Sequence, residues 1–384
     1  MSRKQVWKVI GLTLLVCGSL YGQQNITSFD VPVSAFSPLP VTPPVNTVPT
    51  AINPAGVIVG IVFDASGFPP VYHGFVRSRG GTYTVFDPLG STNTIVTGIT
   101  PEGTITGYYT DAPGVNHGFL RAPNGTITTV DDPGAGIGQF QGTFPLGINP
   151  AGEITGYYYD TLFASHGFLR TPGGTFATFD PDPQGITFPQ AINSKGEIMG
   201  LYVSTDTVDF PPPGANQVHF FLRATDGTLT SIDPPGLVLA NKTGSAGYGG
   251  SSFINNALDG SINPAGSVVG YFFDGSGNQG FLRTPDGIFT PINEPNSANA
   301  DYTYVNAINP SGTIIGQYVD NTASSTFHGF VRDRKGNQYT TIDGPNSPLP
   351  PFSTSATAIN PAGEITGWYQ DANNFSFHGF VLIP

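Results

Sequence analysis

The sequence predicts an all-β chain folded as a seven-bladed β-propeller of four-stranded antiparallel blades, closed by an N-terminal strand that completes the last blade. Three observations predict it. Two phrases, A-I-N-P-A-G-x-I-x-G-x-Y-x-D and then H-G-F-L-R leading to G-T-x-T-x-D, recur seven times with small variations. A repeat of this kind marks a stacked or radial architecture, because one unit cannot bury its own apolar face. Each unit holds four strand signals in about 45–50 residues, the spacing of propeller blades. The chain ends are also permuted. The seventh unit stops at Pro384 after its third strand, while Ile26-Thr27-Ser28-Phe29-Asp30 matches the fourth-strand pattern Ile127-Thr128-Thr129-Val130-Asp131. A closed ring gains a hydrogen-bonded clasp and loses an exposed edge by this arrangement, whereas an open stack gains nothing.

In chain order, residues 1–22 read as a secretory signal and residues 23–384 as one domain. Arg3, Lys4 and Lys8 precede an apolar run from Val9 to Leu20 that is too short to span a bilayer, and Gly22 offers a small residue before Gln23. No later apolar run is long enough to cross a membrane. The expected location is therefore secreted, either extracellular or periplasmic. Within each unit the first phrase is a hairpin of strands a and b, turned by Asn-Pro-Ala-Gly at 53–56, 149–152, 263–266 and 360–363. Proline pre-sets φ in such a turn and glycine supplies its last position. Strand b closes on Asp64, Asp111, Asp160, Ser204, Asp274, Asp320 and Asp371. The second phrase is a hairpin of strands c and d, running from His73, His117, His166, His219, Gln279, His328 and His378 to the strand-d carboxylates.

The recurrent G-x-I-x-G-x-Y-x-D and H-G-F-x-R-x-x-x-G-x-x-x-x-x-D phrases resemble the bacterial extracellular repeat family named for its His-Ala-Phe (HAF) motif, with Gly here in place of Ala. The resemblance covers essentially the whole mature chain. It implies export and tandem repeats, and it carries over no activity and no functional residues.

The repeat residues read as scaffold. The spacing within the second hairpin sets His73, His117, His166, His219 and His328 opposite Asp87, Asp131, Asp180, Asp233 and Asp343, and ring closure sets His378 opposite Asp30. Such cross-strand pairs lock register through a charge-assisted hydrogen bond. In the fifth unit both partners change together, to Gln279 and Asn293. The arginines four residues after each histidine position face Tyr83, Phe176 and Phe289 in three units, which predicts guanidinium stacking on those rings. The strand-b glycine, from Gly60 to Gly367, is expected to permit close approach between neighbouring blades.

Composition removes whole classes of function. Cys17, inside the leader, is the only cysteine, so the mature chain must stabilise itself through its core rather than disulfides. Without the three leader cations, 11 Lys and Arg face 26 Asp and Glu. This excludes ordinary phosphate-backbone binding and electrostatic docking on anionic membranes. The 28 Phe and 16 Tyr argue against disorder, and the 51 Gly and 36 Pro fit many tight turns. No H-E-x-x-H, P-loop or G-x-S-x-G is present, and every histidine already has a place in the repeat. No cofactor is expected. Calcium at Asp274-Gly275-Ser276-Gly277-Asn278 is the one metal reading, although the downstream glutamate of a full calcium loop is missing.

The turns joining a to b and c to d are short and uniform, while the b–c loops and d–a connections vary in length. In an up-and-down blade the two variable classes emerge on one face, where binding loops are expected. Blade 4 carries the longest, and Asp206, Asp209, Asn241, Tyr248 and Asp259 on them are the candidate binding residues. The expected function is a monomeric, non-catalytic binding module for an extracellular carbohydrate or protein. The alternatives are a polysaccharide-active hydrolase or lyase using acids on the same loops, and a purely structural envelope protein.

Overall fold

A computed structural model describes residues 25–36, 45–64, 70–204, 217–237, 260–273, 277–297, 302–320, 326–336, 338–345, 353–371 and 375–384. They form a seven-bladed β-propeller with 28 strands, four to a blade. Blade 1 shows the plan: strand a, Val45–Ile52; b, Ile58–Asp64; c, Val71–Arg77; d, Tyr83–Phe86, each antiparallel to the one before. Blades 2 and 3 are additionally bridged by one parallel pairing, Gly142 with Asn116.

Blade 7 takes strands a to c from Thr354–Ile359, Ile365–Gln370 and Phe377–Ile383, and its outer strand from Asn25–Phe29. The join is antiparallel, with Asn25 opposite Ile383 and Phe29 opposite Gly379. The first and last described strands thus share one sheet, and the ring is shut.

The core lies between blades, and the repeat explains why. The phenylalanine of each second phrase (Phe75, Phe119, Phe168, Phe221, Phe281, Phe330 and Phe380) is fully buried. The residue opening each strand b, from Ile58 round to Ile365, is buried as well, at most 3% exposed. Burying one such side chain contributes about 1.5–3 kcal/mol relative to exposure. Because both faces of every blade are covered by neighbours, the low charge content of the chain follows directly.

The strand-b glycine does something other than the sequence reading expects. A Cβ on Gly156 would fall within 2.0 Å of the Phe144 carbonyl oxygen, in strand a of the same blade. Strand a carries a β-bulge at that point, between Pro145 and Gly147, and five other blades repeat the bulge. The crowding is therefore within the blade: the bulge pushes strand a's backbone onto strand b. Close approach between blades is found instead at some glycines of the second phrase. A Cβ on Gly118 would meet the Val130 carbonyl oxygen of its own blade at 2.3 Å and Pro145 of the next blade at 2.7 Å.

Candidate binding face

The variable connections carry the ends of strands b and d and the starts of a and c. Each histidine opens strand c at this face. Nδ1 lies 2.7 Å from Asp87 for His73, 2.8 Å from Asp131 for His117 and 2.8 Å from Asp180 for His166. The same contact is 2.7 Å for His219 with Asp233, 2.7 Å for His328 with Asp343 and 2.9 Å for His378 with Asp30. In blade 5, Gly280 pairs with Ile292, which sets Gln279 beside Asn293.

Three further contacts, none evident in the repeat spacing, recur around the imidazoles. In blades 2, 3, 4, 6 and 7 the strand-b tyrosine directly opposite packs on the ring, as in Tyr109 on His117 and Tyr202 on His219, with centroids 5.1 and 4.9 Å apart; opposite His73 the place is taken by Val62. The strand-b carboxylate approaches the far nitrogen, at 3.4 Å for both His117 with Asp111 and His328 with Asp320. Finally, a fully buried threonine in strand a of the next blade reaches the same corner. Thr94 and Thr187 donate to Asp87 and Asp180, while Thr143 accepts the Asp132 N–H.

Charge follows from this geometry. For His328 and His378 the hydrogen bonds from Asp343 and Asp30 outweigh burial and raise the imidazole above its ordinary value. For His117 burial pulls the other way, and Asp131 and Asp111 together still raise it. Burial raises the Asp132 and Glu294 carboxyls, on the connections leaving blades 2 and 5. Against its burial cost, Asp160 is held below the usual carboxylate range by the N–H groups of Ala164 and Leu162. With every imidazole committed in this way, the face has a rigid acidic floor.

The face is also polarised. All ten lysines and arginines among the described residues sit at the opposite, uniform-turn face, with seven carboxylates for company. Fourteen described aspartates and glutamates belong to the variable face, without one such cation. The arginines are anchored where they stand. Arg77, Arg170 and Arg283 lie 6.0, 5.8 and 5.9 Å over the rings opposite them, Tyr83, Phe176 and Phe289. Arg77, Arg121 and Arg223 approach Phe29, Phe86 and Phe179 of the preceding blade more closely, at 4.7, 4.7 and 5.1 Å.

Apolar exposure runs the same way. Of the thirteen large hydrophobic residues exposed among those described, eleven lie on variable connections or at strand ends that meet them. Only Ile288 and Ile383 belong to the other face. Asp206, Asp209, Asn241, Tyr248 and Asp259 lie outside the described residues, as does most of the proposed calcium loop. No group of three or more His, Cys, Asp or Glu is arranged for a metal among the described residues.

One concavity has a clear origin in a broken repeat. The seventh unit has Leu382 where the other six have arginine. A cleft of about 530 Å3 opens there between blades 6 and 7, on the uniform-turn face, lined by Leu382, Ile365, Val331 and Thr340 among others.

The chain matches no family model and no curated protein. Among solved structures it is similar to the β-propeller domain of the trilobed protease of Pyrococcus furiosus, with TM-score 0.56 and 7% identity over 88% of this chain and 94% of that one. It is similar to the BP39L lectin of Burkholderia pseudomallei, with TM-score 0.51 and 10% identity over 88% and 96%. Puromycin hydrolase aligns with TM-score 0.53 and 12% identity over 87% of this chain, which spans about half (51%) of that enzyme. No described helix is long and apolar enough to cross a membrane. The protease propeller is described as having an open velcro topology; the present ring is closed by its first strand. At these identities the shared property is the fold, and the chain is a β-propeller.

Proposed function

We propose that the protein is an exported, non-catalytic β-propeller that binds an extracellular carbohydrate or protein through its variable face, and that it belongs with the His-Ala-Phe repeat proteins it resembles. The observation that carries this reading is the one-sided apolar exposure. Side chains such as Leu89, Ile137, Leu162 and Phe163 stand out from a face whose acids and imidazoles are otherwise bound into the scaffold. A fold stabilised between its blades has no structural need for them, and clustered exposed hydrophobics mark interaction surfaces. The lectin among the similar structures is in keeping with a binding role for this fold.

The test is glycan-array and extracellular-protein binding by the mature chain, followed by an assay for turnover of each hit. Binding without turnover is expected, and it must be lost when Leu162 and Phe163 are replaced by serine. Cleavage of a bound polysaccharide would overturn the non-catalytic reading in favour of a hydrolase or lyase. Binding unaffected by the serine replacements would move the site elsewhere.

A further inference from the structure

We infer that the partner of the variable face is a basic, apolar-studded polypeptide segment, gripped by Phe140, Phe163 and Phe375 above the acidic floor. This rests on the binding-face reading above and names the class of partner.

The three phenylalanines are the only non-glycine residues with positive φ among those described, at 67°, 65° and 60°. All three are exposed and all three lie on variable connections. A bulky residue in the left-handed region is a steric outlier, and glycine takes that place at no such cost. The protein uses glycine at seventeen other described positive-φ positions.

Blades 2 and 3 provide an internal control. In blade 2 the b–c turn runs from Asp111 to Val115; Gly114 N–H donates to the Asp111 carbonyl, and Val115 N–H to the Asp111 carboxylate. In blade 3 the turn runs from Asp160 to Ala164 with the same two bonds, made by Phe163 and Ala164. The left-handed position is Gly114 in one and Phe163 in the other. The turn thus closes equally well with glycine, and the ring of Phe163, 6.4 Å from that of Tyr159 at the end of strand b, is left 57% exposed for a contact outside the turn. Strained backbone retained at an exposed position is a feature of recognition and functional sites.

Charge selects the class of partner. The variable face holds fourteen described aspartates and glutamates and no described lysine or arginine. Asp132, on the connection that carries Phe140, is 5% exposed, and its Oδ2 has no hydrogen-bond partner among the described residues. Nucleic acids, anionic glycans and anionic lipids are repelled by such a field, and a neutral glycan gains nothing from it. Lysine and arginine combine a cation with an apolar stem, and a segment that alternates them with leucine or phenylalanine matches both features of the face.

The test uses three synthetic peptides of equal length, one of Lys and Leu, one of Glu and Leu, and one of Lys and Ser, titrated into the mature protein by calorimetry. The Lys/Leu peptide should bind at least tenfold tighter than either control and weaken at least tenfold between 50 and 300 mM NaCl, each on the order of a decade as expected of a salt-screened face. Phe140→Gly, Phe163→Gly and Phe375→Gly should each melt at or above the parent temperature while losing affinity roughly fivefold or more per site, the stability–function trade-off of a strained contact. Ile288→Ser, on the opposite face, should leave binding unchanged. Equal affinity for the Glu/Leu peptide, or glycine variants that bind like the parent, would overturn the inference. If the glycine variants instead lose binding to a neutral glycan, the binding face stands and the basic partner falls. If they bind every probe as the parent does, both fall. Concentration-dependent self-association weakened by Ile288→Ser would assign the acidic face to the uniform face of a second copy, overturning the inference as stated.

Discussion

At the scale of single residues, one pairing is built again and again, imidazole Nδ1 on the strand-d carboxylate; in blades 2, 3 and 6 a strand-b carboxylate and a tyrosine complete the corner. His166→Ala removes the 2.8 Å contact that satisfies Asp180 and should cost about 1–3 kcal/mol in thermal or denaturant unfolding. The raised imidazoles of His117, His328 and His378 also set a pH dependence. A folded pKa above the unfolded value of about 6.5 means the stabilisation is fully present below that pH. It is lost as pH rises through the folded values, so the melting temperature should fall from pH 6 to pH 8; a flat or rising profile would contradict the assignment. The raised Asp132 and Glu294 act with the same sign at lower pH, and the depressed Asp160 opposes them only as pH falls through its own value. The His–Asp pairing is legible in the sequence because the hairpin turn is short and the interval nearly constant. The tyrosine and threonine partners are not, because they follow from the b–c register and from the angle between blades.

At the scale of strands and turns, the Asn-Pro-Ala-Gly phrase does more than reverse the chain. Its asparagine Oδ1 accepts the N–H groups two and four residues on, as Asn53 does from Ala55 and Val57, and the Asn-Ser-Lys-Gly turn of Asn193 does the same. Its Nδ2 reaches the matching carbonyl of the following blade: Asn149 to Asn193, Asn193 to Asn263, Asn263 to Asn309, Asn309 to Asn360 and Asn360 to Asn53, at 3.0–3.5 Å. Asn53 reaches Thr100, which has no amide to pass the belt on. The sequence shows this residue only as a turn former, since its second role exists only once the blades are side by side. The strand-b glycine was open to misreading for a related reason: its crowding arises from a bulge, and a one-residue insertion in strand a leaves no mark in the repeat pattern. Gly156→Ala would drive a methyl group onto the Phe144 carbonyl and should destabilise by about 1–3 kcal/mol. Equilibrium denaturation checks this, and an unchanged midpoint would mean that the bulge yields freely.

At the scale of the whole molecule, blades 7 and 1 are joined by more than the shared sheet. Asn360 continues the amide belt across the seam, Thr357 donates to the Pro49 carbonyl at 2.9 Å, and Phe377 N–H donates to Asn46 at 2.8 Å. Arg79, on the c–d turn of blade 1, holds the buried Glu364 of blade 7 through both guanidinium nitrogens. The closure was legible because permuted ends have a physical meaning only in a ring. The two faces were half legible: unequal loop lengths identify the variable side, but its separation from the cations follows from which strand end each repeat residue occupies. Ring closure underlies all of it, since the faces, the belt and the His378–Asp30 corner exist only if the first strand pairs with the last. Hydrogen exchange over Asn25–Phe29 measures that pairing directly. Protection comparable to that of the partner strand Phe377–Ile383 is expected; exchange as rapid as that of a free chain terminus, with the partner strand still protected, would mean that the ring is open.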